Sequence, residues 1–184
     1  MEPDDVLDFW FAGDPAAWRP AWFRRDAALD AGCVPFVALR QAARDGALDQ
    51  WTETPRGALA LLILLDQMSR NLYRGTAEAF AADTQARAIA RAALARGFDA
   101  TLTPVERVFL YLPFEHSEDP TDQQLAVRLF EALEPIKGAA VAKYASRHRD
   151  VICRFGRFPH RNAALGREST VEELAYLAEP DAGF

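Results

Sequence analysis

Four places in this chain carry the same signal for the start of a helix, a capping side chain followed by proline. The pairs are Asp14-Pro15, Thr54-Pro55, Thr103-Pro104 and Asp119-Pro120. The side chain of a capping Asp or Thr accepts hydrogen bonds from amide groups that the first helical turn leaves unpaired, and proline brings no such group. These pairs therefore predict that α-helices begin at four separate places along the chain.

The apolar residues between these starts repeat at the helical period and do not alternate as they would in strands. One row consists of Leu61, Leu65, Met68 and Leu72. No convincing β-hairpin turn is visible. We therefore expect an all-α array of about eight or nine helices, at roughly 3–11, 15–24, 34–45, 55–72, 77–96, 104–117, 120–134, 137–155 and 170–178.

Length, charge and cysteine content limit the class of protein. The 184 residues contain no linker or low-complexity tract, so we expect one domain over residues 1–184. A net charge of −6 argues against general affinity for nucleic acid or for an anionic membrane. The longest apolar run, Ala58 to Leu65, is too short to cross a bilayer. Two widely separated cysteines without CxxC spacing favour a reduced, cytoplasmic setting.

Polar residues interrupt the apolar pattern in three segments. They are Asp66-Gln67-Met68-Ser69-Arg70-Asn71, Glu115-His116-Ser117-Glu118 and the arginine-rich run from His148 to Asn162. Arginine and imidazole side chains beside aromatic rings suit the binding of an anion or a carboxylate. We therefore expect the three segments to lie together in one polar site.

Asp66 and Arg70 continue an apolar row of the helix that follows Thr54, so they should be buried. Buried charges need partners. One interpretation is an internal Asp66–Arg70 ion pair that ties helices together, assisted by Gln67 and Asn71. The other is that these four side chains bind a ligand. Structural networks and active sites perturb charges in the same way, so the sequence leaves both open.

Glu115 and His116 follow Pro113, which should kink its helix by removing one backbone hydrogen bond. His116 extends an apolar row of this helix, so we expect it to point inward. A single inward histidine is usually a satisfied core residue. The alternative is that Glu115 and His116 form an acid–base couple. If the chain catalyses a reaction, these two residues or His160 would move the proton.

The arginine-rich run should end its helix at Gly156 and continue as an extended turn, because the residue before Pro159 avoids helical geometry. Such a turn could direct His160 and Arg161 into a pocket between helices. The alternative is that the arginines are solvated or satisfy helix-terminal carbonyl groups. In the ligand-binding interpretation the run supplies Arg154, Arg157, Arg161 and Asn162.

Established motifs for metal or nucleotide chemistry are missing from the sequence. It contains no HExxH, P-loop or GxSxG pattern, and no GxGxxG followed by an acidic residue. The spacing of the histidines and acidic residues does not favour metal ligation over hydrogen bonding. We therefore expect no metal ion and no cofactor.

Four stretches of the chain match known family motifs. They are Val6-Leu7-Asp8-Phe9-Trp10-Phe11, Leu65 to Thr76, Tyr111 to Asp119 and Arg154 to Asn162. Together they resemble a bacterial family known as domain of unknown function 924, and the similarity extends from Val6 to Phe184. The resemblance implies an α-helical, tetratricopeptide-like fold and no established activity, ligand or catalytic residue. Met68-Ser69 stands where the family has Phe-Pro, which would straighten the end of this helix and shift Arg70.

These observations favour a helical protein with an inward polar pocket for a small anionic or carboxylate-bearing molecule. Its charge would come from Arg70, Arg154, Arg157 and Arg161, with Asn71 and Asn162 orienting the ligand. The rival hypothesis is a helical-repeat module whose groove takes a peptide or a partner helix. A third is a purely structural polar core. A cavity lined by these side chains would favour the pocket, and an open groove with exposed apolar anchors would favour the module.

Overall fold

Helices form the regular secondary structure of this computed structural model throughout its described residues, which are 1–133, 135–136, 140–180 and 182–183. Short 3-10 turns join several of the α-helices, and a π-helix over Ile63–Met68 joins α4 to α5. The α-helices are α1 (Pro3–Phe11), α2 (Ala27–Cys33), α3 (Val37–Arg44), α4 (Pro55–Leu62), α5 (Ser69–Leu72), α6 (Asp83–Ala95), α7 (Pro104–Glu115), α8 (Pro120–Glu131), α9 (Val141–Phe155) and α10 (Val171–Leu177). The all-α prediction is confirmed.

Capping side chains start three helices where the sequence predicts them. Thr54 caps α4 by accepting a hydrogen bond from the amide of Gly57 at 3.1 Å. Thr103 caps α7 and Asp119 caps α8 in the same way. Each bond satisfies an amide group that the first turn would otherwise leave free, and the three predicted starts are confirmed.

The helix predicted over 15–24 does not form. Asp14 accepts a hydrogen bond from the amide of Ala16, which closes a turn, and a 3-10 helix covers only Pro20–Phe23. Trp22 in this segment is buried, and its Nε1–H donates to the carbonyl oxygen of Trp10 at 3.2 Å. The burial of this indole therefore determines the local conformation, and the capping signal does not.

Three further boundaries differ from the prediction. An additional helix, α2, begins at Ala27 because Asp26 caps it by accepting from two backbone amides, and the helix predicted from residue 34 begins only at Val37. A 3-10 turn over Val34–Phe36 then joins α2 to α3, where Pro35 lacks an amide donor. The helix predicted from residue 77 begins only at Asp83, after another 3-10 turn. The predicted boundaries at residues 134 and 137 lie outside the described residues.

A π-helical segment, Ile63–Met68, interrupts the continuous helical run formed by α4 and α5. Ser69 stabilises it, because its hydroxyl donates to the carbonyl oxygen of Leu64 at 3.3 Å and accepts from Nε of the buried Arg40 at 2.9 Å. π-helical segments inside α-helices frequently occur at functional sites. The end of this helix was predicted to be straight, but it contains a π-helical segment, and Asp66 lies within that segment.

The apolar core surrounds α4 and the π-helical segment, in which every residue from Gly57 to Met68 is buried. α1, α6 and α7 pack against α4, and each helix from α6 to α8 packs against the next. α7 contacts both the π-helical segment and α9, which places the three polar segments of the sequence near one another. Among the described residues, no helix is long and apolar enough to span a membrane.

Gly57 lies where the first turn of α4 passes the preceding 3-10 turn, and a Cβ there would lie 2.2 Å from the carbonyl oxygen of Trp51. We expect Gly57→Ala to lower the free energy of unfolding by about 1–3 kcal/mol, because a backbone oxygen cannot move aside. This loss should outweigh the gain of about 1 kcal/mol from the helix propensity of alanine. Urea denaturation measures the difference.

The matched control for that variant is Gly32→Ala. Its new Cβ would meet only the ring of Phe9, at 2.9 Å. A side chain can shift where a backbone cannot, so the loss of stability should be smaller. Equal losses for the two variants would contradict the backbone clash.

Candidate functional site

The polar segments of the sequence meet at Asp66, whose carboxylate is almost completely buried. His116 Nδ1 lies 2.8 Å from Oδ1 and 2.9 Å from Oδ2, and Gln67 Nε2 donates to Oδ2 at 2.6 Å. Arg70 Nη1 lies 3.0 Å from Oδ1 and also donates to the backbone carbonyl of Asp66. Burial alone would raise the pKa of Asp66, but the Arg70 charge and these hydrogen bonds hold it below its usual value. Asp66 is therefore ionised at neutral pH.

A second carboxylate, that of Asp83 at the start of α6, links the two arginines of the site. Arg70 Nη1 and Nη2 donate to its two oxygens at 2.9 Å each, which is the geometry of a bidentate pair. Arg161 Nη1 lies farther away, 3.4 Å from Oδ2. Asp83 gives no signal in the sequence, because it lies inside a predicted helix without a polar cluster around it. We call Asp66, Arg70, Asp83, His116 and Arg161 the polar centre.

Arg161 is the most weakly paired charge of the polar centre. Its guanidinium lies close to two aromatic rings, 4.8 Å from the ring centroid of Phe80 and 4.4 Å from that of Phe158, and its side chain is 7% exposed. Nε makes no hydrogen bond within the described part of the chain. Burial and, second, repulsion by Arg70 lower the pKa of Arg161 to about 10. A buried cation with an unused donor is the feature of this site that most favours an anion.

Asp66 holds His116 in one tautomer. An ionised carboxylate only accepts hydrogen bonds, so Nδ1 carries the proton and donates it. Nε2 keeps its lone pair, finds no hydrogen-bond partner among the described residues, and belongs to a side chain that is 15% exposed. Burial lowers the pKa of His116 more than the Asp66 charge raises it. A neutral histidine oriented by a carboxylate is the arrangement of a general base.

Glu115, expected to form a couple with His116, lies against His148 instead. Its Oε1 is 3.1 Å from His148 Nδ1, which also lies 2.9 Å from the carbonyl oxygen of Tyr144. Burial and, second, the charge of Asp66 raise the pKa of Glu115 to about 8. The carboxyl group is therefore mainly protonated near neutral pH. The structure thus separates the expected couple into two pairs, Asp66–His116 and Glu115–His148.

His160 lies at the edge of the polar centre, in the 3-10 turn Pro159–Arg161. Its ring centroid is 5.5 Å from that of Phe158. The backbone of Gly183 packs against it so closely that a Cβ on that glycine would lie 3.0 Å from His160 Cβ. Burial and the charge of Arg161 lower the pKa of His160 to about 3, so the ring is neutral.

Glu118 fixes the turn that carries His160 and Arg161. The backbone amide of Phe158 donates to its Oε1 at 2.8 Å, and Arg167 donates to both carboxylate oxygens, at 2.8 Å and 3.0 Å. Although partial burial opposes ionisation, these bonds hold the pKa of Glu118 below its usual value. Glu118, from the polar segment that follows Pro113, therefore positions the turn of the arginine-rich run.

Arg154 and Arg157, predicted to bind the ligand, lie outside the polar centre. Arg154 is exposed, and its guanidinium lies 4.6 Å from the ring centroid of Phe155 and 6.0 Å from that of Tyr176. Arg157 donates to both oxygens of Glu173, at 2.7 Å and 2.8 Å. These partners account for both arginines, so the structure does not bring either of them to the site.

Asn71 and Asn162 also have partners outside the polar centre. Asn71 Nδ2 donates to Asp30 at 2.7 Å, and Asn162 Nδ2 donates to Ser169 Oγ at 3.0 Å and to Glu173 at 3.2 Å. The first bond joins α5 to α2, and the other two join the turn after α9 to the residues before and within α10. Of the predicted residues the structure brings together Asp66, Gln67, Arg70, His116, His160 and Arg161, with Glu115 behind them.

Two cavities of the described structure lie away from the polar centre. One, of about 750 Å³, is bordered by the first residues of α1 and α4 and by Glu106. The other, of about 230 Å³, is bordered by Tyr176 and Ala182. The polar centre reaches the surface through Arg70 and His116, whose side chains are 18% and 15% exposed. No group of His, Cys, Asp and Glu side chains in the described ranges is arranged to hold a metal ion.

These features define an all-helical protein with a buried network of carboxylate, guanidinium and imidazole groups. The chain belongs to the family described as bacterial protein of unknown function (DUF924), whose model matches residues 6–181. Among solved structures it is similar to the protein of unknown function ATU0120 from Agrobacterium tumefaciens, with 43% identity over 97% of each chain and a TM-score of 0.87. A comparison with curated proteins gave no match. The resemblance seen in the sequence motifs is therefore confirmed.

The polar centre predicts a large stability effect at Asp66. We expect Asp66→Ala to lower the free energy of unfolding by about 3–5 kcal/mol, because it leaves buried Arg70 and His116 without their shared partner. The matched control is Asp150→Ala, which removes an exposed ion pair with Arg149 and should cost about 1 kcal/mol or less. Urea denaturation of the two variants compares them directly. Similar losses would argue against a buried network that depends on Asp66.

The raised pKa of Glu115 predicts that the stability of the protein falls as the pH rises. Its pKa is raised to about 8 in the folded protein, from an ordinary value of 4.5. Between these values the folded chain keeps a proton that the unfolded chain releases, so the free energy of unfolding should fall by up to about 1.4 kcal/mol per pH unit. In urea denaturation, the free energy of unfolding of Glu115→Gln should not show this pH dependence. Relative to that of the wild type, it should therefore rise between about pH 5 and pH 8.

The control for the pH experiment is Glu131→Gln, which removes an exposed carboxylate at the end of α8. This variant should keep the pH dependence of the wild type. If the stability difference between Glu115→Gln and the wild type were constant across the pH range, Glu115 would not carry the buried proton.

Proposed function

We propose that the polar centre binds a small anion, such as a carboxylate-bearing molecule, with Arg161 as its main anchor. The observation that carries this proposal is the buried guanidinium of Arg161, whose ion pair with Asp83 is long and whose Nε is unused. Charges in apolar surroundings are costly unless they are closely paired and hydrogen-bonded. A bound anion would supply the partner that Arg161 lacks.

Access to Arg161 supports a small ligand. Arg70 and His116 border the polar centre and are partly exposed, so a molecule can approach without opening the apolar core. Asp66 and Gln67 would act from behind these residues, by holding the side chains that meet the ligand. The proposed site contains fewer ligand-binding residues than the sequence predicted. Four of the predicted residues have partners outside the polar centre, namely Asn71, Arg154, Arg157 and Asn162.

Any reaction at this site would use His116 as the general base. Asp66 orients the imidazole through Nδ1 and leaves Nε2 to take a proton from the ligand or from water. Arg70 and Arg161 would stabilise negative charge that develops on the bound molecule. Glu115 would act only indirectly, because it faces His148. His160, at the edge of the site, would help to enclose the ligand.

A cytoplasmic location is part of the proposal. Cys33 and Cys153 are both free thiols, which fits a reducing compartment. The buried thiol of Cys33 has a pKa raised to about 12, chiefly by burial, so it is unreactive as a nucleophile.

The interaction module is the second candidate, and one observation favours it. Val171 and Leu174 are 84% and 57% exposed on α10, so this helix presents apolar side chains to solvent. Neither residue borders one of the two cavities described above. An open groove with apolar anchors is the arrangement that such a module would use. The polar centre borders neither cavity either, so the cavities do not separate the two candidates, and it is the buried, weakly paired guanidinium of Arg161 that favours the small ligand.

The proposal predicts that anions stabilise the protein. Acetate, inorganic phosphate or sulfate, added at constant ionic strength, should raise the melting temperature of the wild type. A ligand that binds only the native state adds about 2.7 kcal/mol of stability at 100 times its Kd. Arg161→Gln should lose this response. The control Arg154→Gln removes an exposed arginine outside the polar centre and should keep it.

A second measurement covers the case in which Arg161→Gln does not fold. The side-chain nitrogen resonances of His116 in the wild type should shift during a titration with acetate, since His116 is paired with Asp66 in the polar centre and is partly exposed. If no anion moved either the melting temperature or these resonances, the polar centre would be a structural network and the proposal would be overturned.

A further inference from the structure

We propose further that the site takes a singly charged carboxylate together with one proton, and that Nε2 of His116 holds this proton. The inference rests on the proposed function, because it specifies the ligand of the same site. Its chemical class is a monocarboxylate, in preference to a dicarboxylate, sulfate or phosphate dianion. Binding would then couple the uptake of an anion to the uptake of a proton.

The polar centre is electrically balanced before a ligand binds. Asp66 and Asp83 carry negative charges, Arg70 and Arg161 carry positive charges, and His116 is neutral. A bound anion adds one negative charge that none of these groups offsets. Such a charge is costly in a buried site unless a positive charge arises next to it.

His116 is the group placed to supply that positive charge. Its Nδ1 already donates to Asp66, so an added proton must go to Nε2. Arg70 and Arg161 contribute to its lowered pKa by repelling the protonated form. An anion beside these arginines would cancel that repulsion. Protonated His116 would then donate a hydrogen bond to the ligand.

The other titratable groups around His116 are less suited to take the proton. The ring of His148 lies 6.2 Å away, and burial keeps its pKa well below the usual value. Glu115 already carries a proton near neutral pH, and the pKa of His160 is far too low. The charged and titratable groups around His116 come from every element packed against it. They are Asp66 from the π-helical segment, Arg70 from α5, Glu115 from α7, His148 from α9, and His160 and Arg161 from the turn after α9. Asp83 of α6 acts on His116 indirectly, because it is paired with Arg70.

The orientation of Arg161 favours a carboxylate. Nη1 points to Asp83 and Nε is unused, so the edge formed by Nε and Nη2 can donate two parallel hydrogen bonds to one carboxylate. The rings of Phe80 and Phe158 lie over the guanidinium, with centroids 4.8 Å and 4.4 Å from its central carbon, and leave its N–H edge to donate to the ligand. A dianion would bring a second charge, and no second proton acceptor of suitable pKa faces the site from the described residues.

Calorimetry of the wild-type protein with acetate tests this inference. Titrations near pH 7.5 in two buffers of different ionisation enthalpy count the protons that accompany binding, and we expect one proton per acetate. Because free His116 is neutral in this range, the Kd should rise about tenfold for each pH unit. Succinate and sulfate should bind at least about ten times more weakly than acetate, by the cost of the unpaired second charge.

Two variants separate the proton from the anion. His116→Gln should bind acetate through Arg161 more weakly than the wild type near pH 7.5, because no positive charge arises beside the anion, and its affinity should no longer depend on pH. Arg161→Gln should lose binding. Acetate binding without proton uptake, with dianions bound equally well, would overturn this inference and leave the proposed function standing. If no anion bound at all, both would fail. Should His116→Gln not fold, the proton count of the wild type decides alone.

Discussion

The burial of the Asp66 carboxylate is the constraint on which the arrangement of the polar centre depends. A carboxylate with 1% exposure must be surrounded by donors, because the interior cannot solvate it. Arg70, Gln67 and His116 supply those donors. Arg70 in turn requires Asp83, which fixes the start of α6 against the π-helical segment. One charged group thus determines how the π-helical segment, α5, α6 and α7 are placed against one another.

The sequence predicted helix boundaries where a local hydrogen bond determines them. Thr54 and Thr103 cap their helices through bonds to residues three positions away, so the sequence contains the whole interaction. Gly156 ends α9 with a φ of 69°, as expected for a position that needs left-handed backbone. Asp14 carries an equally good capping signal, yet no α-helix follows it. There the burial of Trp22 prevails, and spacing in the sequence cannot reveal such a long-range contact.

For the candidate site, the sequence could predict which side chains turn inward but not which of them meet. Asp66, Arg70 and His116 each extend an apolar row, so their direction follows from helical geometry. The partner of His116 does not follow from it. His116 meets Asp66, fifty positions away, while its neighbour Glu115 turns to another helix. Asp83 escaped notice for the same reason, since only tertiary packing distinguishes it from a solvated residue in the first turn of a helix.

The π-helical segment has a consequence for how this chain can vary. An α-helix advances by about 100° per residue, so one extra residue turns everything beyond it by roughly that angle. The segment therefore sets the rotation of α5, which carries Arg70 and Asn71, relative to α4, which is buried in the apolar core from Gly57 onward. Loss of a single residue here would barely shorten the helical run. It would, however, rotate Arg70 away from Asp83, so the length of this segment is constrained separately from the packing of its apolar side chains.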